Sequence, residues 1–325
     1  MSGASVFIDR SQFPGNVRRD WIQSLRTRAI NHKFHYESHK QAAKWLALHE
    51  AFSPARRDAS CLRIYDEAFA RAANDCQAQA LHLVGLGCGG GQKEARLLEL
   101  LKAHGPKITC TLSDVSLPLV LTAREAALPQ VDEKHCHSIV CDLATTEHLG
   151  AALDRISSDL PRLITLFGII PNFEPTPLLS RLSALLRPMD TLLLSANLAP
   201  GPDYAAGVRA VLPQYDNALT HDWLLTLLLD LGFDSSDGTL HFSIEDNHQG
   251  LLRIAAHFEL SCSRQIQVFG ETLSFASGER LRVFFSFRHT SRTISELLVK
   301  QGLQIEAQWL NDAGEEGVFL CRARG

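Results

Sequence analysis

The stretch Leu81-His82-Leu83-Val84-Gly85-Leu86-Gly87-Cys88-Gly89-Gly90-Gly91 carries an apolar run straight into a glycine-rich turn. Without a Cβ, glycine lets the backbone bend sharply and come close to a ligand. Two carboxylates follow in matching places: Asp114 just past the apolar run 108–112, and Asp142 just past the run 138–140. A carboxylate that ends the second strand of a doubly wound sheet accepts hydrogen bonds from ribose hydroxyls. One at the end of the third can accept from an adenine amino group, with Leu143 packed on the ring. A glycine turn alone is often only a turn. The ordered set, each member closing a successive strand, points to a bound nucleoside. The spacing is Gly-x-Gly-x-Gly-Gly-Gly rather than Gly-x-Gly-x-x-Gly, and the glycines by themselves tolerate a nicotinamide dinucleotide as well.

These residues need a scaffold, and the hydropathy pattern supplies one. Short apolar runs at 81–86, 108–112, 138–140, 163–167 and 191–194 alternate with amphipathic stretches such as 94–103 and 178–186. That rhythm predicts a parallel sheet covered on both faces. A helix is expected ahead of it, over 57–74, where Leu62, Ile64, Tyr65, Phe69 and Ala72 recur at helical spacing. The rhythm breaks from 201 to 288. A helix with Trp223, Leu224, Leu227 and Leu228 on one face precedes extended segments with turn signals at Asp237-Gly238, 247–250 and Ser277-Gly278. A helix over 294–299 and a hairpin, 305–309 with 318–322, close the chain. The expected organisation is an α/β domain over 57–199 and 290–325, with an inserted α+β domain over 1–56 and 200–289 that takes the substrate in a pocket between the two.

Composition narrows the class of ligand. The 325 residues carry 32 Lys+Arg against 36 Asp+Glu, a net charge of -4. With a pI near 6.4 this is no nucleic-acid binder of the usual basic kind. No apolar stretch reaches the ~18 residues that a membrane span needs. No secretory leader is evident in 1–23, and none of the eight cysteines forms a Cys-x-x-Cys pair, so reduced thiols in a cytoplasmic protein are expected. His135-Cys136-His137 with Cys141 fits no structural zinc spacing, and no metal is expected.

With the hairpin at Trp309 closing the sheet, the chain resembles the histidine-specific S-adenosylmethionine-dependent methyltransferase family, whose members include the enzyme that trimethylates the α-amino group of histidine in ergothioneine synthesis. The residues that carry the resemblance are Lys33-Phe34-His35-Tyr36, Phe52-Ser53-Pro54, 85–93, Ser113-Asp114-Val115, Cys141-Asp142-Leu143, 167–175, 192–198 and 278–288, and it spans nearly the whole chain. It implies a class I methyltransferase-type doubly wound sheet, mostly parallel with one antiparallel C-terminal strand. It also implies S-adenosylmethionine as cofactor, held by Gly87, Gly89, Lys93, Asp114, Asp142 and Leu143. Asn172 and Tyr215 would hold the carboxylate and amine of an amino acid, Tyr36 would lie beside the reacting nitrogen, and Thr220 and Ser286 would line the side-chain pocket. Tyr36 and Asn172 are then the catalytic pair.

The departures from the pattern decide the expected substrate. The acidic residue that the family places at the end of the first strand is Gly85 here. The family's imidazole-reading glutamate falls on Phe284, a pocket tyrosine falls on Phe52, and a bulky residue falls on Ala256. A site built around a polar partner discriminates strongly against ligands that cannot use it, and the reverse substitution removes that preference. The expectation is α-amino methylation of an apolar or aromatic amino acid other than histidine. S-methylation of a thioether such as methionine, a silent nucleoside-binding protein and, more remotely, a dehydrogenase stand as alternatives. The sequence does not give the oligomeric state. Three of these residues also have a plainer role open to them. Tyr36 could be a surface aromatic, Phe284 a core strand residue, and Asn172 a turn residue ahead of Pro175.

Overall fold

The computed structural model describes residues 3–76, 78–247 and 250–324. Its strands are β1 (Val6–Ile8), β2 (Ala80–Leu86), β3 (Lys107–Asp114), β4 (Cys136–Val140), β5 (Arg162–Leu166), β6 (Thr191–Asn197), β7 (Gly238–Asp246), β8 (Leu252–Leu260), β9 (Arg264–Val268), β10 (Glu271–Phe275), β11 (Arg280–Phe287), β12 (Leu303–Leu310) and β13 (Glu316–Ala323). The chain divides into two compact units, one of residues 1–12, 54–198 and 289–325, the other of 13–53 and 199–288.

The first unit is built on an eight-stranded sheet in the order β1-β4-β3-β2-β5-β6-β13-β12. Strands β1 to β6 pair in parallel, and β13 runs antiparallel to both β6 and β12. This is the class I methyltransferase arrangement, a doubly wound sheet closed by one reversed strand. Both faces are covered, so the central strands are apolar on both sides. Leu81 and Leu83 of β2 pack on the face covered by the helices Ala59–Asp75, Gln92–Ala103 and Leu117–Ala127. Val84 and Leu86 pack on the other, under Leu149–Ile156, Pro175–Leu185 and Ser291–Lys300. The helix expected over 57–74 starts at Ala59 because Asp58 caps it, its carboxylate accepting from the amides of Ser60 and Cys61.

One segment falls elsewhere than the sequence suggests. Residues up to Gln12, assigned above to the inserted domain, belong to the first unit. Val6, Phe7 and Ile8 add an edge strand to β4, in register with Ser138, Ile139 and Val140. Three residues are too few to display a period-2 pattern, so nothing in the sequence marks this strand.

The second unit holds a three-stranded antiparallel sheet, β11-β8-β7, and the hairpin β9–β10. The turn signal expected over 247–250 includes His248 and Gln249, which lie outside the described residues. The helix Ala218–Asp230 buries Trp223, Leu224, Leu227 and Leu228 as its pattern predicts. Its neighbours in the core include Trp21, Phe34 and Phe258, with Trp21 and Phe34 stacked 3.7 Å apart. In β11 the pairing with β8 shifts between Arg282 and Phe284, leaving Val283 as an extra residue. A bulge of this kind turns the following side chains over. Leu281 and Phe284, an odd number of positions apart, therefore both face the same apolar core.

Candidate active site

In the first unit the expected cofactor residues gather at the C-terminal edge of the sheet, where the strands of a doubly wound fold present their ligands. Past β2, Gly87, Gly89 and Gly91 take φ values of +61°, +53° and +75°. At Gly87 a Cβ would stand 2.5 Å from Cδ1 of Ile169, and at Gly91 one would stand 2.6 Å from the Cα of Ala123. The turn therefore depends on glycine for both conformation and space. It leads directly into the helix Gln92–Ala103, whose N-cap is Gly91.

Asp114 ends β3 and is almost fully buried. Its Oδ2 accepts from the amide of Gly89 at 3.0 Å, and its Oδ1 from the amide of Ser116 at 3.0 Å. The carboxylate thus ties the glycine turn to the neighbouring strand end. Burial pushes its pKa up to about 6, against the pull of the backbone donors at Ser116, Gly89 and Val115. Asp142 lies beyond β4, also buried, with its amide donating to Ser11 Oγ and its Oδ1 accepting from the amide of Ala144. Leu143 packs against the apolar cluster on the second face of the sheet.

Lys93 sits in the first turn of the helix that follows the glycines. Its Nζ donates to Tyr65 Oη at 2.6 Å and stands 4.1 Å from the centre of that ring. The Tyr65 hydroxyl in turn donates to Glu316 Oε1 at 2.5 Å. Burial draws the Lys93 ammonium below its ordinary range, while burial and the Glu316 charge hold the Tyr65 phenol well above its own. Tyr65 and Glu316 were not singled out from the sequence. They lie 251 residues apart, and no local spacing links them.

Gly85 has a local explanation. A Cβ there would stand 3.0 Å from Cγ of Glu94 and 3.3 Å from Cδ2 of Leu112. Glu94 is buried, accepts from Thr165 Oγ1 at 2.9 Å, and has its pKa raised by that burial. A carboxyl group thus does lie beside the end of β2, delivered from the next helix rather than from the strand. Asn172 also belongs to this unit, in the short turn Ile170–Asn172 that follows β5.

In the second unit, part of the expected acceptor side, Tyr215 and Ala256, lies against Phe284, which is 6% exposed. Ring centres of His32, Tyr215 and Trp223 lie 5.4, 5.8 and 6.1 Å from its own. Tyr36 joins through Trp223 at 5.6 Å and Trp45 at 5.7 Å, and its Oη bonds His32 Nε2 at 2.6 Å. Tyr215 Oη lies 3.1 Å from Ser286 Oγ and accepts from Arg288 Nη2 at 2.5 Å. Thr220 is buried in the first turn of the helix that carries Trp223, its amide donating to Asn217 Oδ1. Ala256 pairs with Phe284 across β8 and β11. Phe52 stands apart in character: it ends the helix His39–Phe52 and is 41% exposed.

Two histidines shape this cluster. His35 Nε2 bonds the carbonyl of Val283, the bulged residue of β11, at 2.5 Å, and its own carbonyl accepts from Trp223 Nε1. Burial lowers the His35 pKa to about 4, against the pull of the Val283 carbonyl. Burial, with His35 nearby, lowers that of His32 to about 3, so both rings are neutral near pH 7. His32 meets Tyr36 within one short helix, His32–Tyr36, whereas Trp223 and Arg288 join Tyr36 and Tyr215 only through the fold.

Among the described residues no group of three or more His, Cys, Asp or Glu side chains is arranged to hold a metal ion. No helix among them is long and apolar enough to cross a membrane.

The family model described as "Histidine-specific methyltransferase, SAM-dependent" matches residues 17–323 of the chain. A histidine N-alpha-methyltransferase of Mycobacterium tuberculosis (strain CDC 1551 / Oshkosh) is 24% identical over 285 residues, covering 83% of this chain and 82% of that protein. Among solved structures, the magnesium protoporphyrin IX methyltransferase of Synechocystis PCC 6803 aligns with 91% of this chain and 97% of its own at 13% identity, with a TM-score of 0.48. The 1,6-didemethyltoxoflavin-N1-methyltransferase of Burkholderia thailandensis aligns with 88% and 90% at 13% identity, with a TM-score of 0.43.

Proposed function

The chain belongs to the histidine-specific, S-adenosylmethionine-dependent methyltransferase family, and from that premise we propose that it methylates the α-amino group of an apolar or aromatic amino acid other than histidine. When bound, the cofactor supplies an electrophilic methyl group on a sulfonium with a good leaving group. The residues at the sheet edge suit it: a turn free of side chains at Gly87 and Gly89, a buried carboxylate at Asp114 for the ribose hydroxyls, and a second at Asp142 for the adenine. Lys93 is a cation at the start of the following helix, available to the carboxylate of the methionyl end.

The protein's work in such a displacement is alignment and exclusion of water. On the acceptor side, Tyr36 meets the amine, and Asn172 and Tyr215 take the amine and carboxylate. Thr220, Ser286, Phe284 and Phe52 serve the side chain. The proton shed by the nitrogen passes to solvent.

The observation that carries the substrate choice is Phe284 itself, packed among the rings of His32, Tyr215 and Trp223. An imidazole brought there would bury an N–H against carbon. A buried donor without an acceptor costs about 1–3 kcal/mol, roughly 5–150-fold in kcat/KM against a ligand with no such group.

The test has two stages: calorimetric titration of S-adenosylhomocysteine, then turnover on a panel of amino acids with the methylated atom located by mass spectrometry and NMR. The expected result is nucleoside binding, N-methylation of an apolar or aromatic member, and histidine among the poorest substrates. Histidine as the best substrate, a sulfonium product, or nucleoside binding with no turnover each sinks the proposal.

A further inference from the structure

We infer that His32 is a positioning residue that makes Tyr36 a hydrogen-bond acceptor toward the reacting amine, an assignment that rests on the N-methylation proposed above. The contact that carries it is the 2.6 Å separation of Tyr36 Oη and His32 Nε2. The ring is held edge-on to Tyr36, with centres 5.2 Å apart, and lies against Phe284 on another side. The Nδ1 atom of His32 is buried and has no hydrogen-bond partner. All of the ring's specific polar bonding is thus spent on the tyrosine.

The direction of that bond follows from the two groups. A phenol is a better donor than the N–H of a neutral imidazole, and the bare imidazole nitrogen is a better acceptor than a phenol oxygen. Between a neutral ring and a neutral phenol the stronger bond is therefore O–H to nitrogen. With its hydrogen committed to His32, Tyr36 can offer only oxygen lone pairs to a third group. That polarity matters for methyl transfer to nitrogen. The amine must point its lone pair at the methyl carbon and its N–H bonds elsewhere. An acceptor oxygen beside the amine takes an N–H and leaves the lone pair free. A hydroxyl free to rotate could instead donate to that lone pair and hold the amine in an unreactive pose.

Tyr215 shows the opposite arrangement in the same cluster. Arg288 donates into its oxygen at 2.5 Å, so its hydroxyl hydrogen points outward as a donor. Ser286 Oγ at 3.1 Å is one acceptor for it, and a carboxylate is another. A tyrosine set to accept and a tyrosine set to donate match the ammonium and carboxylate ends of an amino acid. The His32 assignment does not depend on the Arg288 side.

The experiment uses the full chain with His32→Phe, which keeps a ring of similar volume, His32→Gln, whose amide oxygen can accept from the phenol, and Tyr36→Phe. In His32→Phe, kcat on the best amine substrate is expected to fall about 10–100-fold with KM nearly unchanged, as expected for lost orientation. His32→Gln should recover most of that loss. Adding His32→Phe to Tyr36→Phe should cost nothing further, because the tyrosine hydroxyl is the only route of the effect. A turnover-independent readout comes from the ring nitrogens of 15N-histidine-labelled protein, with His32 assigned by its loss in the Phe variant. They should show a neutral ring from pH 5 to 8, bare at Nε2 and protonated at Nδ1. A proton on Nε2, wild-type kcat in His32→Phe, or additive losses in the double variant overturns the assignment. A protein that binds S-adenosylhomocysteine but methylates no amine sinks the proposed function instead, and the nitrogen spectrum still decides the polarity of the pair.

Discussion

Replacing Gly91 with alanine separates the two demands placed on the glycine turn. The residue has φ +75°, a conformation in which a side chain costs roughly 1 kcal/mol. The added Cβ would also stand 2.6 Å from the Cα of Ala123, 2.7 Å from its Cβ and 3.0 Å from its carbonyl oxygen. Those atoms belong to the helix Leu117–Ala127, so relief requires backbone movement rather than a rotamer change. Overpacking of that kind costs about 1–3 kcal/mol. The expected loss is therefore about 2–4 kcal/mol, a large part of the 5–15 kcal/mol typical of a domain. Gly105 is the control. It has φ +88°, and an added Cβ there meets nothing within 4 Å. Gly105→Ala should cost roughly 1 kcal/mol, from the backbone alone. Urea unfolding of both variants, paired with calorimetric titration of S-adenosylhomocysteine, gives the comparison. Gly91→Ala should unfold at clearly lower urea and bind the nucleoside more weakly, while Gly105→Ala binds like the parent. Equal midpoints for the two would refute the steric half of the reasoning. Undiminished binding in a folded Gly91→Ala protein would remove the turn from the cofactor site.

Three further outcomes follow from the side chains at the two sites. The buried Asp114 has a pKa near 6 against an ordinary 3.8, so its contribution to stability is full below about pH 4 and fades as the pH rises through 6. With Asp114 in its proposed place at the ribose, binding of the nucleoside should run the other way, weakening by up to about tenfold per unit below pH 6, with Asp114→Asn flat over the same range by calorimetry. Phe284→Glu should raise kcat/KM on histidine by about 10–100-fold and lower it on the preferred apolar substrate, and an unchanged histidine rate argues against Phe284 as the selector. Tyr65→Phe removes both the oxygen that Lys93 donates to and the hydroxyl that Glu316 accepts. It should destabilise by about 1–3 kcal/mol in urea and weaken nucleoside binding, and a neutral effect on both would show that the triad holds nothing.

Local pattern was enough for the central strands and helices of the first unit. Its parallel strands are buried on both faces, so they appear as continuous apolar runs, and the helices between them keep a 3.6-residue period over two turns or more. The positions proposed for the cofactor could be read for a related reason: a doubly wound sheet gathers its ligands at the C-terminal ends of strands. Gly87, Gly89, Asp114 and Asp142 can therefore be placed by finding where each strand stops. The edge strand Val6–Ile8 escaped because a run of three carries no period.

What only the tertiary structure decided is which distant groups meet and which way they face. Phe284 and Leu281 share a core face because Val283 bulges, and a single extra residue in a strand reverses every side chain after it. Lys93, Tyr65 and Glu316 come from a helix start, a second helix and the closing hairpin. Glu94 reaches the space over Gly85 from the helix that follows it, supplying beside the strand end a carboxyl that the strand itself lacks. His32 lies only four residues from Tyr36, yet its neutrality comes from burial beneath elements far away in sequence. Sequence spacing records what one element carries. The polarity of a buried hydrogen bond depends on everything packed around it, and that is set only when the chain has closed on itself.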